Sequence, residues 1–334
     1  MENKQTMENK VYQISDFAAV RQDGNGVLGK ILYYSLSTTL IDREKFGELC
    51  QSIDFPYKPS RRTAKADAFR SATGDIYDRL LLKTDSGPQI FKVYCRDNKA
   101  PDGVISRELV KETVHEDTNE YKKLANISFT KEGGIFAYDN LVSDPHVDPL
   151  NYCLEAQKLF ELYQTCVGRR QIETVLQNYV ESMQAVKAAR GHIYFVPRDY
   201  MAKLNLFEDF VKLLEENNQF QRPGREPLDA NSMFVVDDAK QREKMASAFY
   251  NTVRKEIEEY EKRATHLIQS DSRSPAVLER MALSIKGLED KRSYYEDILN
   301  RELTEMNDQF TALRYLSDEL QIRARGLQLQ KRAA

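Results

Sequence analysis

A seven-residue apolar repeat near the C-terminus constrains the fold of this chain more than any other feature of its sequence. The repeat positions are apolar with the single exception of Arg292: Leu278, Ile285, Arg292, Leu299, Met306, Leu313 and Leu320. A second line of apolar residues fills the seam beside them: Met281, Leu288, Tyr295, Leu303, Phe310 and Leu316. A heptad repeat held over this length is typical of a helix that supercoils against another helix. The sequence therefore predicts one continuous helix from about Pro275 to beyond Leu320.

The helical segment before this repeat is its expected partner. Apolar residues recur there at steps of four and three, as on one face of an amphipathic helix: Phe249, Val253, Ile257, Tyr260, Ala264 and Leu267. The segment between Ser270 and Pro275 predicts a turn, because serine suits an N-cap and proline suits the first helical position. Residues 237–334 are therefore predicted to form a long antiparallel coiled-coil hairpin.

The second helix of this hairpin is predicted to be longer than the first, which leaves part of its apolar seam uncovered. An uncovered apolar stripe marks a surface that binds protein. We predict that this stripe binds a protein partner or a second copy of the chain, with Arg292 setting the register. The predicted stripe consists of Arg292, Leu299, Met306, Leu313, Leu316 and Leu320. The alternative is that it folds back onto the body of the chain. The leading expectation is a non-enzymatic interaction or assembly (adaptor) protein that binds a protein partner or forms a homo-oligomer through this coiled coil.

The N-terminal half has a different pattern, because apolar residues there alternate with a period of two, as in half-buried strands. The predicted fold class is α+β, with a mostly antiparallel β-sheet and short helices first, a helical middle and the C-terminal hairpin. Asp23-Gly-Asn-Gly26 predicts a tight turn between strands at Val11–Val20 and Lys30–Leu36. The predicted parts are a mobile N-terminus at 1–10, a β-rich α+β domain at 11–143, a helical region with short strands at 150–236 and the hairpin at 237–334.

Composition argues against several function classes. A net charge of −3 over 334 residues gives no basic excess of the kind that general nucleic-acid binders carry. The four cysteines contain no C-x-x-C pair, so we expect reduced thiols rather than a zinc site. No apolar run reaches the ~18 residues of a membrane span, and residues 1–10 lack the apolar core of a signal peptide. A cytoplasmic protein is therefore expected.

No catalytic motif survives inspection of the sequence. Gly24-Asn-Gly-Val-Leu-Gly29 has the glycine spacing of a phosphate-binding loop, but a β run follows it where the dinucleotide motif needs a helix. Asp144, His146 and Asp148 carry atoms that a metal accepts, which makes a cryptic metal enzyme the third hypothesis. Turn residues around two prolines explain the same segment. We therefore predict no catalytic residue, no metal site and no cofactor.

A basic segment supports the second hypothesis, a nucleic-acid-binding accessory protein. Five cations lie close in sequence to Tyr57 and Phe69, and cations interleaved with aromatic rings contact phosphates and stack on bases. These candidate phosphate contacts are Lys58, Arg61, Arg62, Lys65 and Arg70. The alternative interpretation is a solvated helix face beside a buried phenylalanine.

Two segments resemble motifs of an uncharacterised family of bacterial and phage proteins, a domain of unknown function. Ala66-Asp-Ala-Phe-Arg-Ser-Ala-Thr73 is similar to D-A-F-R-x-A-T, and Gly191-His-Ile-Tyr-Phe-Val-Pro197 is similar to G-G-V-Y-F-V-P, with His192 in place of glycine. The resemblance covers most of residues 30–300, implies a long helical C-terminus and carries over no catalytic residue. Because some members look to be encoded near AAA-type ATPases, it implies a partner of that class or a phage or host-defence component.

Overall fold

The computed structural model describes residues 26–55, 57–58, 62–84, 87–114, 120–220, 222, 224–270 and 272–333. The predicted N-terminus at 1–10 and the predicted strand Val11–Val20 lie outside the described residues. Within the described residues the chain forms two compact units: the first takes 26–35, 177–209 and 229–333, and the second takes 36–176 and 210–228. The prediction of an α+β protein with antiparallel sheets is confirmed.

The second unit contains a five-stranded antiparallel sheet in which neighbouring strands follow one another along the chain. Its strands are β3 (Tyr77–Thr84), β4 (Gly87–Asn98), β5 (Val104–Val114), β6 (Glu120–Thr130) and β7 (Ile135–Asp139). The alternating pattern produces this arrangement because one face of the central strands is buried, as at Val93 and Ile127. The turn between β6 and β7 needs glycine, since Gly133 and Gly134 both have positive φ.

Helices cover this sheet on one face. Phe69 of the second helix stacks on Phe129 of β6 at 5.7 Å between ring centroids, and Phe160 of the third helix lies 5.6 Å from the same ring. Asp42 and Asp148 cap the first and third helices by accepting bonds from backbone N–H groups. The first three helices are α1 (Arg43–Ser52), α2 (Lys65–Gly74) and α3 (Pro149–Thr165), of which α2 and α3 cover the sheet. A small two-stranded sheet pairs β2 (Leu40–Asp42) with β8 (Cys166–Gly168). Two further helices contribute residues to both units, α4 (Arg169–Glu181) and α5 (Met201–Glu216).

The first unit has a four-stranded antiparallel sheet in the order β11-β1-β10-β9. Its strands are β1 (Val27–Tyr34), β9 (Val186–Ala189), β10 (Ile193–Pro197) and β11 (Ala230–Val236). Ile31 of β1 lies opposite Phe195 on one side and Met233 on the other. Within the described residues the neighbours of β1 are β10 and β11, whereas the strand predicted at Val11–Val20, the other half of the predicted hairpin, lies outside them. Gly29 permits a close approach, because an added Cβ would lie 2.1 Å from the carbonyl oxygen of Val196.

Three helices complete the first unit, α6 (Ala239–Gln269), α7 (Pro275–Leu299) and α8 (Asn307–Ala333). The predicted continuous helix from Pro275 to beyond Leu320 is wrong, because it ends at Leu299 and Asn300 adopts a left-handed conformation with φ of 45°. Asparagine tolerates this conformation better than most residues, and here its N–H bonds to the carbonyl oxygens of Glu296 and Asp297. The chain then reverses direction, since Arg314 of α8 pairs with Glu289 of α7, and Gln328 bonds to Glu279.

Folding back at Asn300 places the apolar repeat inside the unit. The α6–α7 pair is antiparallel, since Lys291 pairs with Glu256 across it, and α8 packs against both helices. Tyr295 lies at the centre, 4.9 Å from Phe249 and 6.2 Å from Phe195 between ring centroids. The predicted two-helix hairpin is therefore replaced by three helices packed on a sheet. Among the described residues, no helix combines the length and the apolar character that crossing a membrane requires.

Candidate functional site

The residues predicted to form an exposed partner-binding stripe lie in the core of the first unit. Leu299, Leu313 and Leu320 are fully buried, Met306 is buried, and Leu316 is partly buried against the same cluster. Burying a leucine or methionine side chain stabilises the fold by about 1.5–3 kcal/mol, which favours closing the seam within the chain. The prediction that these residues form an exposed docking surface is therefore wrong. The alternative prediction, that the stripe folds back onto the chain itself, agrees with their burial.

Arg292, the polar member of the repeat, lies at the junction between α7 and α8. Its guanidinium lies over the ring of Phe310, pairs with Glu296 at 3.1 Å and donates to the side-chain oxygen of Asn307 at 2.6 Å. Glu296 also accepts a bond from the backbone N–H of Leu303 in the turn. Arg292 therefore holds the reversal of the chain together, which explains a cation in an otherwise apolar repeat.

The outer face of α8 carries a second heptad line that sequence reasoning missed. Tyr315, Ile322 and Leu329 are spaced seven residues apart and are 73%, 70% and 66% exposed. Leu313, Leu320 and Ala324 on the opposite face are fully buried. The sequence signal was present in the spacing, but the stronger repeat through Leu313 and Leu320 concealed it. We call Tyr315, Ile322 and Leu329 the outer α8 line.

Two opposite charges flank the outer α8 line. Asp318 precedes Ile322 by one helical turn and Arg325 follows it, and both are exposed. Within the part of the chain that the structure describes, neither side chain forms an ion pair, whereas the neighbouring Glu319 pairs with Arg323 at 2.8 Å. Arg323 in turn donates to the carbonyl oxygen of Ile268 on α6. The face therefore presents three apolar side chains with one acid and one base between them.

The predicted basic segment is only partly brought together. Arg61 lies outside the described residues, and Arg70 pairs with Asp67 at 3.0 Å on the exposed face of α2. The structure places Arg70 in an open pocket together with Arg169 and Arg170, the first residues of α4. Asp67 and Asp75 line the same pocket, which also holds Thr63 and Tyr163. Sequence reasoning missed the two α4 arginines because nothing in their local pattern connects them with residue 70. Lys58, Arg62 and Lys65 are described, but they do not line this pocket.

The three residues considered for a metal site line one open pocket, and each of them also makes a contact within the fold. Asp144 is buried between Lys111 and Lys122, with oxygen-to-nitrogen distances of 2.7 and 2.9 Å. Burial alone would raise the pKa of Asp144, but hydrogen bonds from both lysines and from the backbone N–H of His146 outweigh it and lower the pKa to about 2. The His146 ring stacks on Phe91, and Asp148 caps α3. Among the described residues, no group of three histidine, cysteine or acidic side chains is placed to hold a metal.

A further cluster centres on Arg222, a residue that the sequence analysis did not single out. Its guanidinium donates to the carbonyl oxygens of Asp75 and Tyr77 at 2.9 Å and pairs with Asp78 at 3.1 Å and Glu155 at 3.0 Å. The hydroxyl of Tyr152 donates to Asp78 at 2.7 Å. Burial raises the pKa of Glu155 despite the opposing charge of Arg222. Because the guanidinium is largely occupied by protein acceptors, this cluster fastens the segment around residue 222 to β3 and α3.

The cysteines give no sign of a reactive thiol. All four are free, with Cys50, Cys153 and Cys166 buried and Cys95 half-buried. Burial raises the pKa of the Cys95 and Cys50 thiols to about 12, so that neither is a thiolate at neutral pH. These cysteines are therefore packing residues in this structure.

Comparison with known proteins identifies a family without assigning an activity. No curated protein matches the chain, and no solved structure matches it. A family model described as "Family of unknown function (DUF6744)" matches residues 27–326, which is most of the chain. The resemblance to an uncharacterised family is thereby confirmed, while a bacterial or phage origin stays a prediction. With the match covering both units, the chain belongs to this family of unknown function.

Proposed function

We propose that this chain is a non-enzymatic interaction or assembly protein of a bacterial or phage system, which binds protein through the outer face of α8. The observation that carries the proposal is the outer α8 line, three large apolar side chains each about two-thirds exposed or more on one face of a 27-residue helix. Single exposed apolar residues are ordinary on protein surfaces, but three that are aligned on one face of a helix indicate a binding surface.

The periodicity of the row indicates the kind of partner. Side chains seven residues apart on an exposed helix form one of the two lines of the seam that another helix fills. Each of these side chains would contribute about 1.5–3 kcal/mol if a partner buried it completely. The expected partner is therefore a helical protein surface, such as a second copy of the chain or a helix of an AAA-type ATPase or defence component.

The polar groups support a binding function rather than catalysis. Asp144, His146, Asp148 and Arg222 each already serve a contact that stabilises the second unit. A catalytic acid or base needs an accessible group with a pKa suited to proton transfer near the operating pH. The pKa of Asp144, about 2, and its pairing with two lysines do not suit that role.

Site-specific photo-crosslinking of the full chain in cells tests this proposal. A photoreactive phenylalanine analogue replaces Tyr315 in one chain and the exposed Tyr121 on the β-sheet in the control chain. We expect an adduct of defined mass from position 315, none from position 121, and loss of the 315 adduct when Ile322→Asp is introduced into the same chain. Absence of an adduct at 315, or an adduct that persists with Ile322→Asp, would overturn the proposal.

A second candidate function is nucleic-acid binding through the basic pocket. It is favoured because Arg70 lines the same pocket as Arg169 and Arg170, which lie about a hundred residues away in sequence. Three guanidinium groups in one open pocket suit phosphate oxygens. The acids Asp67 and Asp75 in the same pocket weaken this attraction, and the candidate therefore ranks below protein binding.

A further inference from the structure

The outer α8 line is symmetric about its middle residue, so that two copies of it can pair through a two-fold rotation. Ile322 is its middle member, with Tyr315 seven residues before it and Leu329 seven residues after it. If two α8 helices lie antiparallel with their Ile322 side chains in contact, Tyr315 of each copy meets Leu329 of the other. All three apolar positions of both copies are then buried in three layers, which is the self-complementary arrangement that a two-fold interface requires.

The charges between the apolar positions distinguish antiparallel from parallel pairing. In the antiparallel arrangement, Asp318 of each copy lies close to Arg325 of the other, so that two ion pairs of opposite charge form. In a parallel arrangement, Asp318 would lie against Asp318 and Arg325 against Arg325, and both contacts would be repulsive. Because neither residue has an ion-pair partner among the described residues of its own chain, both are available to a second copy.

Gly326 contributes to the same fit. It lies on the exposed face one turn after Ile322, and a Cβ built on it would have nothing within 4 Å. In the antiparallel arrangement it lies on the same side of the seam as Glu319 of the second copy, and its missing side chain leaves room for that side chain.

Building on the proposed function, we infer that the partner of the outer α8 line is a second copy of this chain, paired through antiparallel α8 helices. One helix per copy with three apolar layers is a small interface, below the roughly 1,200–2,000 Å² that stable protein complexes bury in total. The dimer is therefore weak, with a dissociation constant on the order of 1–100 μM. It forms as the protein concentration rises rather than being an obligate part of the fold.

Analytical ultracentrifugation of the full chain across this concentration range tests the inference. The unchanged chain should move from monomer to dimer with rising concentration, and Ile322→Asp should remain monomeric throughout. Leu283→Asp is the matched control, because Leu283 is similarly exposed on α7 but lies off the outer α8 line. It should dimerise like the unchanged chain. At concentrations below the dimerisation range, all variants should share one thermal unfolding midpoint, since the substituted side chains are exposed.

Charge reversal tests the antiparallel geometry. Asp318→Arg and Arg325→Asp should each weaken dimerisation about 3–10-fold, and the chain carrying both changes should recover most of the affinity. A monomer at every concentration, or a dimer indifferent to Ile322→Asp, overturns the inference. Failure of the double variant to recover overturns the antiparallel pairing.

The crosslinking experiment separates this inference from the proposed function. If the chain is monomeric but position 315 gives an Ile322-dependent adduct with a different protein, the second copy is excluded and protein binding through α8 stands. If neither self-association nor an adduct is seen, both fail.

Discussion

The guanidinium of Arg292 lies over the ring of Phe310, with its central carbon 5.0 Å from the ring centroid. This contact joins the last turns of α7 to the beginning of α8 and lies beside the turn in which the chain reverses. Arg292 also bonds to Glu296 and Asn307, so one side chain contacts both helices. The stability of the reversal should therefore depend on a residue that breaks the apolar repeat.

The stability of an Arg292→Leu variant distinguishes a chain that folds back at residue 300 from a continuous helix. In a continuous coiled coil, Arg292→Leu would complete the repeat and stabilise the protein. In this structure it removes the bonds to Glu296 and Asn307, and we expect a decrease of about 1–2 kcal/mol in the free energy of unfolding. Chemical denaturation measures the difference, with the exposed Arg301→Leu as control. A more stable Arg292→Leu protein would contradict the reversal at residue 300.

Asn300 provides a second, independent test of the reversal. Its φ of 45° is strained for residues branched at Cβ but not for glycine. We expect Asn300→Gly to leave stability unchanged or raise it slightly, and Asn300→Val to lower it by about 1–2 kcal/mol. Thermal unfolding monitored by circular dichroism compares the two variants. Equal stability of both would mean that residue 300 is not left-handed.

The apolar repeat predicts correctly which residues are buried but not what buries them. Leu299, Met306 and Leu313 would be buried equally well by a partner on a continuous helix or by a chain that folds back. The turn contains neither glycine nor proline, and Leu303 and Met306 continue the apolar period through it. The α+β class and the strands β3–β7 could be predicted, because alternation is a local signal. The pairing of β1 with β10 and β11 joins distant segments and could not.

The site residues were harder to predict for the same reason. Arg222 is a structural centre only because β3 and α3 bring Asp78 and Glu155 to it. Arg169 and Arg170 meet Arg70 only in the folded second unit. The outer α8 line could have been found from its heptad spacing, but such a line can be either core or surface, and the period alone does not distinguish the two.

Acid should destabilise the second unit through Asp144. Its folded-state pKa of about 2 lies below the ordinary value of 3.8, so the ionised carboxylate contributes stability above pH 4. This contribution disappears as the pH falls from about 4 through 2, and it amounts to something on the order of 2 kcal/mol. Urea unfolding between pH 2 and 6 measures it. Asp144→Asn should lower stability at pH 6 and flatten the decline below pH 4, whereas Asp97→Asn, at an exposed ion pair, should change neither.

The nucleic-acid candidate predicts binding that depends on salt. A labelled single-stranded oligonucleotide should bind the full chain at 50 mM salt and weaken steeply by 200 mM, because bound counterions are released from the phosphates. The triple change of Arg70, Arg169 and Arg170 to glutamine should reduce the salt slope by up to about 0.7 for each phosphate that the protein no longer neutralises. A matched triple change at Arg79, Arg254 and Arg301 is the control. If the oligonucleotide does not bind at 50 mM salt, nucleic-acid binding through this pocket is excluded.

Arg222 should be one of the most sensitive positions of the second unit. Its side chain is only 12% exposed and satisfies two backbone carbonyls and two carboxylates. Arg222→Ala leaves Asp78 and Glu155 without their cation in a partly buried setting, and we expect the free energy of unfolding to fall by about 2–4 kcal/mol. Arg222→Lys should recover little of it, because an ammonium group cannot reproduce the planar fork that reaches four acceptors at once. Denaturant titration of both variants, with Arg79→Ala as control, measures the difference. If Arg222→Lys were as stable as the unchanged protein, charge alone would suffice, and the geometry of the guanidinium would not matter.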